Sequence, residues 1–215
     1  MCERVCDIYP KNYMAWTHRL VLLDLFPDVT DLQTELASTL SWVGRHVSDH
    51  AGLHHLQATL TCLDRRLPPS EGATLLTEQL SFVHELIWRY PGHEALWCHL
   101  RFLVFFSLSR LARSGSVDPF FALEPIDTPT TCAEEVAFSQ DCEVEDNGVE
   151  RYEEQRQLAL SFRLWIVVLA RQHTQESERI RWLDGVKKEA ADALGRLVSS
   201  PAIYTQALKR GWPPV

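Results

Sequence analysis

Hydrophobic residues recur every three or four positions along most of the chain, which is the spacing of one buried face on an α-helix. The clearest stripes are Leu32, Leu36, Leu40 and Val43; Leu76, Leu80, Val83 and Ile87; and Leu158, Phe162, Trp165 and Leu169. Alternating patterns of the kind that half-buried strands show are nearly absent. The pattern therefore predicts an all-α protein built from amphipathic helices.

Proline and glycine fall between these stripes and divide the first 113 residues into five predicted helices after a short opening one. The breakers are Pro10, Pro27, Pro68 with Pro69, and Pro91 with Gly92. Residues suited to cap a helix N-terminus stand near four of the predicted starts: Asn12, Asp31, Asp49 and Ser70. The helix boundaries are thus predicted from turn and capping chemistry.

Residues 114–147 differ in character from the segments around them. Prolines interrupt any period, and nine acidic residues against one basic residue then accumulate between positions 134 and 154. We interpret 114–147 as an acidic, proline-containing loop or insert, because such tracts are more often solvated connections than docking segments. Helical spacing returns over about 149–172 and 176–197. The predicted organisation is helical repeats over 1–113, the insert, and a C-terminal helical repeat with a tail over 148–215.

One segment occurs in several related copies. Residues 9–20 read Tyr-Pro-Lys-Asn-Tyr-Met-Ala-Trp-Thr-His-Arg-Leu, and residues 90–100 repeat the Tyr-Pro start and keep the tryptophan and the histidine. A degenerate copy lies at 48–57, and a fourth at 155–169 matches Arg163 to Arg19. The first three copies are spaced by 37 and then 44 residues, enough for two helices and their turns. This spacing predicts a solenoid of antiparallel helix pairs, a right-handed α-α superhelix.

The side chains of the first copy predict how the repeats pack. One sector of its helical wheel holds Asn12, Tyr13, Trp16, Arg19, Leu20 and Leu23. We expect Trp16 to wedge against the next helix pair, and Arg19 to bond the exposed carbonyls at a neighbouring helix end. The residues predicted to form the repeat-packing or partner interface are Asn12, Trp16, Arg19, Trp97 and Arg163.

The pattern Pro-x-Asn-Tyr-x-x-Trp-x-x-Arg of residues 10–19 resembles the repeat of the protein prenyltransferase alpha subunits, found in farnesyltransferase and the geranylgeranyltransferases. With residues 47–50 and 90–94, the chain most resembles an orphan alpha-like member of this family. The resemblance covers roughly 1–113 well and 150–172 weakly. Family members usually have helix pairs before this motif, so the resemblance implies that Met1 falls partway into a pair, as in a truncated gene model or a short isoform.

Alpha subunits of this family form a crescent of helix pairs around a beta subunit that binds zinc and most of the isoprenoid. The resemblance implies that this chain is the non-zinc subunit of such a heterodimer, inactive alone and without a cofactor of its own. Its expected partner is a beta subunit of the Rab geranylgeranyltransferase type. Zinc in that partner would activate a C-terminal cysteine of a cytosolic protein, and the thiolate would attack geranylgeranyl or farnesyl diphosphate.

The resemblance also implies a catalytic role for two residues of the first copy. In farnesyltransferase the Lys-Asn-Tyr opening of one repeat faces the diphosphate, and the same string stands at residues 11–13. By resemblance, Lys11 neutralises charge on the leaving diphosphate, and Tyr13 donates a hydrogen bond to it. In the next unit His50 is the expected substrate-binding residue.

Departures from the family pattern leave a second function open. The Asn-Tyr-His opening of the family's next unit is here Asp-His-Ala, and Ala51 cannot donate a hydrogen bond. The position of Arg19 is held by Leu56 and Leu100 in the later copies. These changes favour the alternative of a non-catalytic helical-repeat adaptor that binds partner proteins.

Composition and charge narrow the functional classes. The chain carries 29 acidic side chains against 21 lysines and arginines, which disfavours general binding to nucleic acid or anionic lipid. Its six cysteines include no Cys-x-x-Cys pair, so we interpret them as reduced thiols. No stretch reaches the roughly 18 apolar residues of a membrane span. A cytoplasmic protein without a transmembrane segment is therefore predicted.

The histidines are interpreted as packing or partner-contact residues. His46, His50 and His54 are spaced by four, but a new helix capped at Asp49 breaks their alignment, so we expect no metal site. Packing roles are likewise expected for His18, His84 and His99. The chain contains no Gly-rich phosphate loop, nucleophile elbow or His-Glu-x-x-His helix, so an independent catalytic centre is not expected.

Overall fold

The computed structural model describes residues 9, 12–23, 25, 28–113, 132–144 and 151–173. Every regular element in these residues is an α-helix, and none is a strand. The helices are α1 (Tyr13–Leu23), α2 (Val29–Val43), α3 (His50–Asp64), α4 (Pro69–Arg89), α5 (Glu94–Arg113), α6 (Cys132–Val144) and α7 (Tyr152–His173). The predicted all-α class is confirmed, and the handedness of the solenoid stays a prediction. None of these seven helices has the length and apolar character to cross a membrane.

The chain divides into two compact units. The first comprises residues 1–107 with 127–129, and the second comprises residues 108–126 and 130–215. The first unit therefore runs from α1 into α5, while the second contains α6 and α7. The predicted domain boundary at 113 stays a prediction.

The five helices predicted for the first part of the chain are present, and two of them begin where their predicted caps stand. Before α1, the side-chain oxygen of Asn12 accepts a hydrogen bond from the backbone N–H of Ala15 at 3.2 Å. Before α3, the carboxylate of Asp49 accepts from the backbone N–H groups of Ala51 and Gly52 at 2.8 and 3.3 Å. Each cap satisfies amides that a helix start otherwise leaves unpaired.

The other two predicted caps are wrong. Asp28 caps α2 by accepting from the backbone N–H of Thr30 at 2.8 Å, so Asp31 lies in the first turn of the helix. α4 begins at Pro69 without a side-chain cap, and Ser70 lies inside the helix. Proline suits this first position because its missing N–H has no helical partner there.

Part of the predicted acidic loop is helical. Residues 132–144 form α6, with Glu134 and Glu135 in the first turn, where carboxylates interact favourably with the helix dipole. The expectation of a loop is wrong for these residues. They form a helix that packs along α7, although apolar and polar positions are little segregated around α6. The rest of 114–147, the predicted helix over 176–197 and the tail lie outside the described residues.

The core of the first unit centres on α3, which packs against α1, α2 and α4. Its leucines 53, 56, 60 and 63 are at most 2% exposed. Trp97 in α5 is 1% exposed, so the indole of the later copy is buried as the repeat predicts. Leu56 and Leu100, which replace the arginine of the first copy, are fully buried.

The second unit joins α6 to α7 through a buried ion pair between Arg163 and Glu143. The hydroxyl of Tyr152 donates a hydrogen bond to the backbone carbonyl of Glu143. Phe162 and Ile166 are fully buried in the same unit. Arg163, assigned to repeat packing from the sequence, thus lies in a packed helix pair.

Candidate functional site

Trp16 is the centre of a buried cluster where α1, α2 and α3 meet. Its indole is 2% exposed and packs edge-on against Trp42, with ring centroids 4.8 Å apart. The ring of His55 lies 5.3 Å away, and the Arg19 guanidinium carbon lies 4.9 Å from the indole centroid, within cation–π range. With Glu35, these residues form what we call the tryptophan cluster.

A carboxylate from α2 joins the arginine of α1 to the histidine of α3. Arg19 donates hydrogen bonds from Nε and Nη2 to Oε1 of Glu35 at 2.9 and 2.7 Å, and Nε2 of His55 lies 2.6 Å from the same oxygen. Partial burial alone raises the pKa of Glu35, but the hydrogen bond with His55 and the nearby charge of Arg19 outweigh it. The pKa of Glu35 therefore lies below its ordinary value of 4.5, and its carboxylate is ionised at neutral pH.

The sequence predicts that Arg19 packs between repeats, but the predicted partner is wrong. Arg19 bonds the Glu35 carboxylate rather than carbonyls at a helix end. Glu35 and Trp42 lie outside the repeated segment, so no repeat marks them. The sequence gives only weaker signals for the other residues of the cluster. Glu35 is an acidic residue next to the apolar Leu36, and His55 aligns with the histidines of the other repeats.

Gly52 allows α3 to approach both indoles of the cluster. A Cβ at this position would lie 2.6 Å from Cζ3 of Trp42 and 3.2 Å from Cζ2 of Trp16. Such close approach requires a residue without a side chain. Gly52 therefore sets the spacing between α3 and the two preceding helices.

Gly52→Ala is expected to lower the free energy of unfolding by about 1–3 kcal/mol, because the added methyl overpacks the cluster. Gly44→Ala is the matched control, since a Cβ there would lie 3.5 and 3.8 Å from backbone oxygens in ordinary contact. The control should be neutral or stabilising by up to about 1 kcal/mol. Chemical denaturation compares them, and equal stability of the two variants would contradict the close approach.

A groove opens beside the tryptophan cluster, between the N-terminal ends of α1 and α3. Its volume is about 400 Å³. The lining residues are Tyr13, Trp16, Thr17, Leu20, Ser48, Asp49, His50, Ala51, His54 and His55. The groove thus combines phenol, imidazole and hydroxyl groups with an indole and an aliphatic side chain.

The structure brings the predicted catalytic Tyr13 and the predicted substrate-binding His50 together in this groove. Tyr13 is 69% exposed and His50 is exposed, so both side chains are open to a ligand. His54, which the sequence did not assign to the site, adds a second exposed imidazole. Lys11 lies outside the described residues. Ala51 lines the groove without a polar side chain, as the sequence indicates.

Two helix starts border the groove, and the carboxylate of Asp49 lies in its wall. Helix N-termini carry partial positive charge and unpaired N–H groups, and both attract anions. The Asp49 side chain is buried and accepts from the first amides of α3, so its carboxylate is engaged in capping. The exposed phenol and imidazoles at the rim can all donate hydrogen bonds.

The histidines at 46, 50 and 54 do not share one helix, because α3 begins at His50 as predicted. His46 instead stacks on Trp42 with ring centroids 4.0 Å apart, and its Nδ1 lies 3.0 Å from the Trp42 carbonyl oxygen. Across the part of the chain that the structure describes, no group of three or more potential ligands could hold a metal ion.

Packing is the correct interpretation for His99, whereas the role of His18 in packing or partner contact stays a prediction. His99 is 1% exposed, and its Nδ1 lies 3.3 Å from Nε2 of Gln57. Burial lowers the pKa of His99 to about 3, so the ring is neutral at physiological pH. His18 is exposed on α1, and His84 is half-buried.

In the part of the chain that the structure describes, tryptophan-bearing α-helices pack through buried arginine and histidine contacts, as in a helical-repeat protein. The family model described as the protein prenyltransferase alpha subunit repeat matches residues 1–26 and 76–107, which contain the copies at 9–20 and 90–100. The predicted resemblance is confirmed for these two segments. The degenerate copy at 48–57 is outside the matched residues, although it forms the start of α3.

Curated relatives carry the name protein prenyltransferase alpha subunit repeat-containing protein 1. The human protein is 35% identical over 150 residues, 54% of this chain and 37% of the relative. The Danio rerio protein is 33% identical over 130 residues, 47% of this chain and 30% of the relative. Form 1-B of Xenopus laevis is 33% identical over 135 residues, 47% and 31% of the two chains. This chain thus spans about a third of the length of these relatives.

Proposed function

We propose that this chain is the alpha-like subunit of a heterodimeric protein prenyltransferase in the cytoplasm. It would scaffold a zinc-bearing beta subunit, of the Rab geranylgeranyltransferase type, for transfer of a geranylgeranyl or farnesyl group to a C-terminal cysteine of an acceptor protein. The observation that carries the proposal is the groove that gathers Tyr13 and His50 at two helix N-termini.

The groove has the chemistry to bind the diphosphate of an isoprenoid donor. The two helix starts carry partial positive charge, which the Asp49 carboxylate that caps α3 partly offsets, and Tyr13 and His50 supply hydrogen-bond donors at the rim. The volume of about 400 Å³ falls within the range of small-molecule pockets. Charge builds on the diphosphate as the bond to the isoprenoid breaks, so donors placed here would stabilise the transition state more than the bound substrate.

Two further parts of the reaction are assigned on resemblance alone. Lys11, one residue before the capping Asn12, would neutralise the departing diphosphate. The zinc of the partner would activate the acceptor thiolate. Within this chain the roles are therefore to bind and orient the diphosphate and to hold the partner.

A helical-repeat adaptor is the second candidate. It is favoured by Ala51, which lines the groove where the prenyltransferase pattern has a histidine. Asp49 also replaces the asparagine of that pattern and brings a carboxylate to the groove wall. In this function the groove would accept a protein segment rather than a diphosphate.

Co-expression with candidate beta subunits, followed by an isoprenoid-transfer assay, separates the two functions. The proposal expects a stable complex that transfers isoprenoid faster than the beta subunit alone. A complex without such transfer would favour the adaptor. Absence of any complex with a beta subunit would contradict the proposed function.

Tyr13→Phe is expected to lower turnover in the active complex on the order of tenfold, because it removes a hydrogen bond to the departing diphosphate. Lys11→Ala should have an effect of at least the same order. Tyr90→Phe is the matched control, since this half-buried phenol lies outside the groove and packs near His93. Steady-state kinetics measure all three, and equal turnover of the Tyr13 and Tyr90 variants would refute the role of Tyr13.

A further inference from the structure

Two histidines stand one turn apart on α3 and open into the groove. His50 and His54 both line the groove, and both side chains are exposed. Residues four apart on a helix are neighbours, with about 5–6 Å between their Cβ atoms. The start of α3 at His50 separates His46 from these two residues but leaves the two aligned with each other. We call His50 and His54 the histidine pair.

The histidine pair has no bonding partner in the part of the chain that the structure describes. Neither imidazole makes a hydrogen bond, an ion pair or a ring contact there. The buried histidines differ, since His55 lies 2.6 Å from the Glu35 carboxylate and His99 lies 3.3 Å from the Gln57 carboxamide. A neutral imidazole has one nitrogen that can accept a bond. Each member of the pair therefore offers a nitrogen to a ligand in the groove.

The spacing of the pair suits a metal ion. Two histidines four residues apart on one helix face can bind the same Zn²⁺ ion. Zinc accepts imidazole nitrogen at about 2.0–2.1 Å, whereas magnesium prefers oxygen ligands. Residues 50–54 read His-Ala-Gly-Leu-His, without the glutamate that acts as general base on the helix of a metalloprotease. The pair therefore indicates zinc binding and not zinc-dependent proteolysis.

The charges around the groove also favour a bound cation. Asp49, which directly precedes His50, contributes a buried carboxylate to the groove wall. Because this carboxylate caps α3, it offsets the partial positive charge of the helix start. The described residues that line the groove include no lysine or arginine. A ligand with phosphate oxygens would thus gain from a cation held in the groove.

We propose that His50 and His54 together bind one Zn²⁺ ion in the groove. No group of three or more ligands occurs among the described residues, so water or oxygen atoms of a groove ligand complete the coordination. Where that ligand is the isoprenoid diphosphate, the inference rests on the proposed function and deepens it. His50 then acts on the diphosphate through the metal ion, and His54 becomes part of the same site.

Titration of the full chain with Zn²⁺ tests the site. The histidines are isotope-labelled and their imidazole resonances are followed by NMR, which separates binding at the pair from binding at the six cysteines. We expect the resonances of His50 and His54 to change together and to reach half-saturation at the same Zn²⁺ concentration. Mg²⁺ at equal concentrations should leave both resonances unchanged, because it prefers oxygen ligands.

Substitution of one histidine should weaken binding at the other. His54→Gln is expected to lower the affinity for Zn²⁺ at His50 by about tenfold or more, since loss of a second-shell partner alone costs roughly 10–100-fold. His50→Gln should have the same effect at His54. His18→Gln is the matched control, because this exposed histidine of α1 has Met14 and Leu22 four residues away and no second histidine. Circular dichroism checks that each variant is folded.

The proposal is overturned if Zn²⁺ changes neither or only one of the two resonances, or if Mg²⁺ produces the same change. It is also overturned if a folded His54→Gln chain binds Zn²⁺ at His50 as tightly as the natural chain. The titration uses the metal ion alone and no beta subunit. Its failure would therefore remove the metal site and leave the proposed function standing, whereas failure to form a complex with a beta subunit would leave the metal site standing.

Discussion

Trp16→Ala is expected to lower the free energy of unfolding by about 3–5 kcal/mol, because truncating a buried aromatic side chain leaves a cavity. The indole touches residues of all three helices of the tryptophan cluster, through Trp42, His55 and the overlying Arg19. Neighbouring side chains that are themselves held by hydrogen bonds collapse poorly into the space. The effect should therefore lie toward the upper part of that range.

Trp88→Ala is the matched control for this prediction. Trp88 lies near the end of α4 and is 44% exposed, against 2% for Trp16. Its loss should cost about 1 kcal/mol or less. Denaturant unfolding of both variants, with a check that the slope is unchanged, gives the comparison. Similar losses in the two variants would mean that Trp16 does not organise the packing of α1 on α3.

Glu35→Ala is expected to cost about 3 kcal/mol, the low end for breaking a buried ion pair, because the carboxylate is partly exposed. The side chains of Arg19 and His55 are 8% and 1% exposed, against 28% for Glu35. Removing the carboxylate leaves a guanidinium and an imidazole nitrogen buried without their shared acceptor. Glu78→Ala, at an exposed position of α4, is the control and should change stability by less than about 0.5 kcal/mol.

The Glu35 carboxylate should also make the free energy of unfolding depend on pH in the acidic range. The pKa of Glu35 is lowered on folding, so its contribution is fully present above the unfolded value of 4.5 and is lost as pH falls through the lowered value. Glu35→Gln should remove this part of the acid sensitivity, so the stability gap between the natural chain and the variant narrows below pH 4.5. Unfolding curves from pH 7 to 3 measure the gap. A gap that stays constant would show that ionised Glu35 adds nothing.

The helices of the first unit are predictable because their signals are local. Apolar spacing locates each helix, and proline or glycine separates it from the next. Cap choice is less certain where two suitable residues stand close together, as Asp28 and Asp31 do before α2. α6 escaped prediction because its acidic residues mask a helix that is held by its packing against α7.

The candidate site is predictable only where it lies inside the repeat. The repeated segment points to Tyr13 and His50, which the fold brings to one groove. Glu35 and Trp42 could not be found in this way, because their roles depend on which turn of α2 faces α1 and α3. That choice is made by long-range packing and not by residue spacing.

The Arg19–Glu35 arrangement has a counterpart in the second unit. There Arg163, which the repeat aligns with Arg19, pairs with Glu143 of the neighbouring helix. In both pairs the arginine side chain is at most 10% exposed. In both units, therefore, the arginine of the repeat forms an ion pair with a glutamate of the adjacent helix.

The glycine at position 52 also protects the order in which the helices assemble. Repeat proteins are prone to misfold when one unit takes the place of its neighbour. The residue equivalent to Gly52 is Leu96 in α5, and a leucine would collide with the indoles of Trp16 and Trp42, where even a methyl carbon lies 2.6 Å from an aromatic atom. Placement of α5 at the position of α3 is thereby penalised during folding.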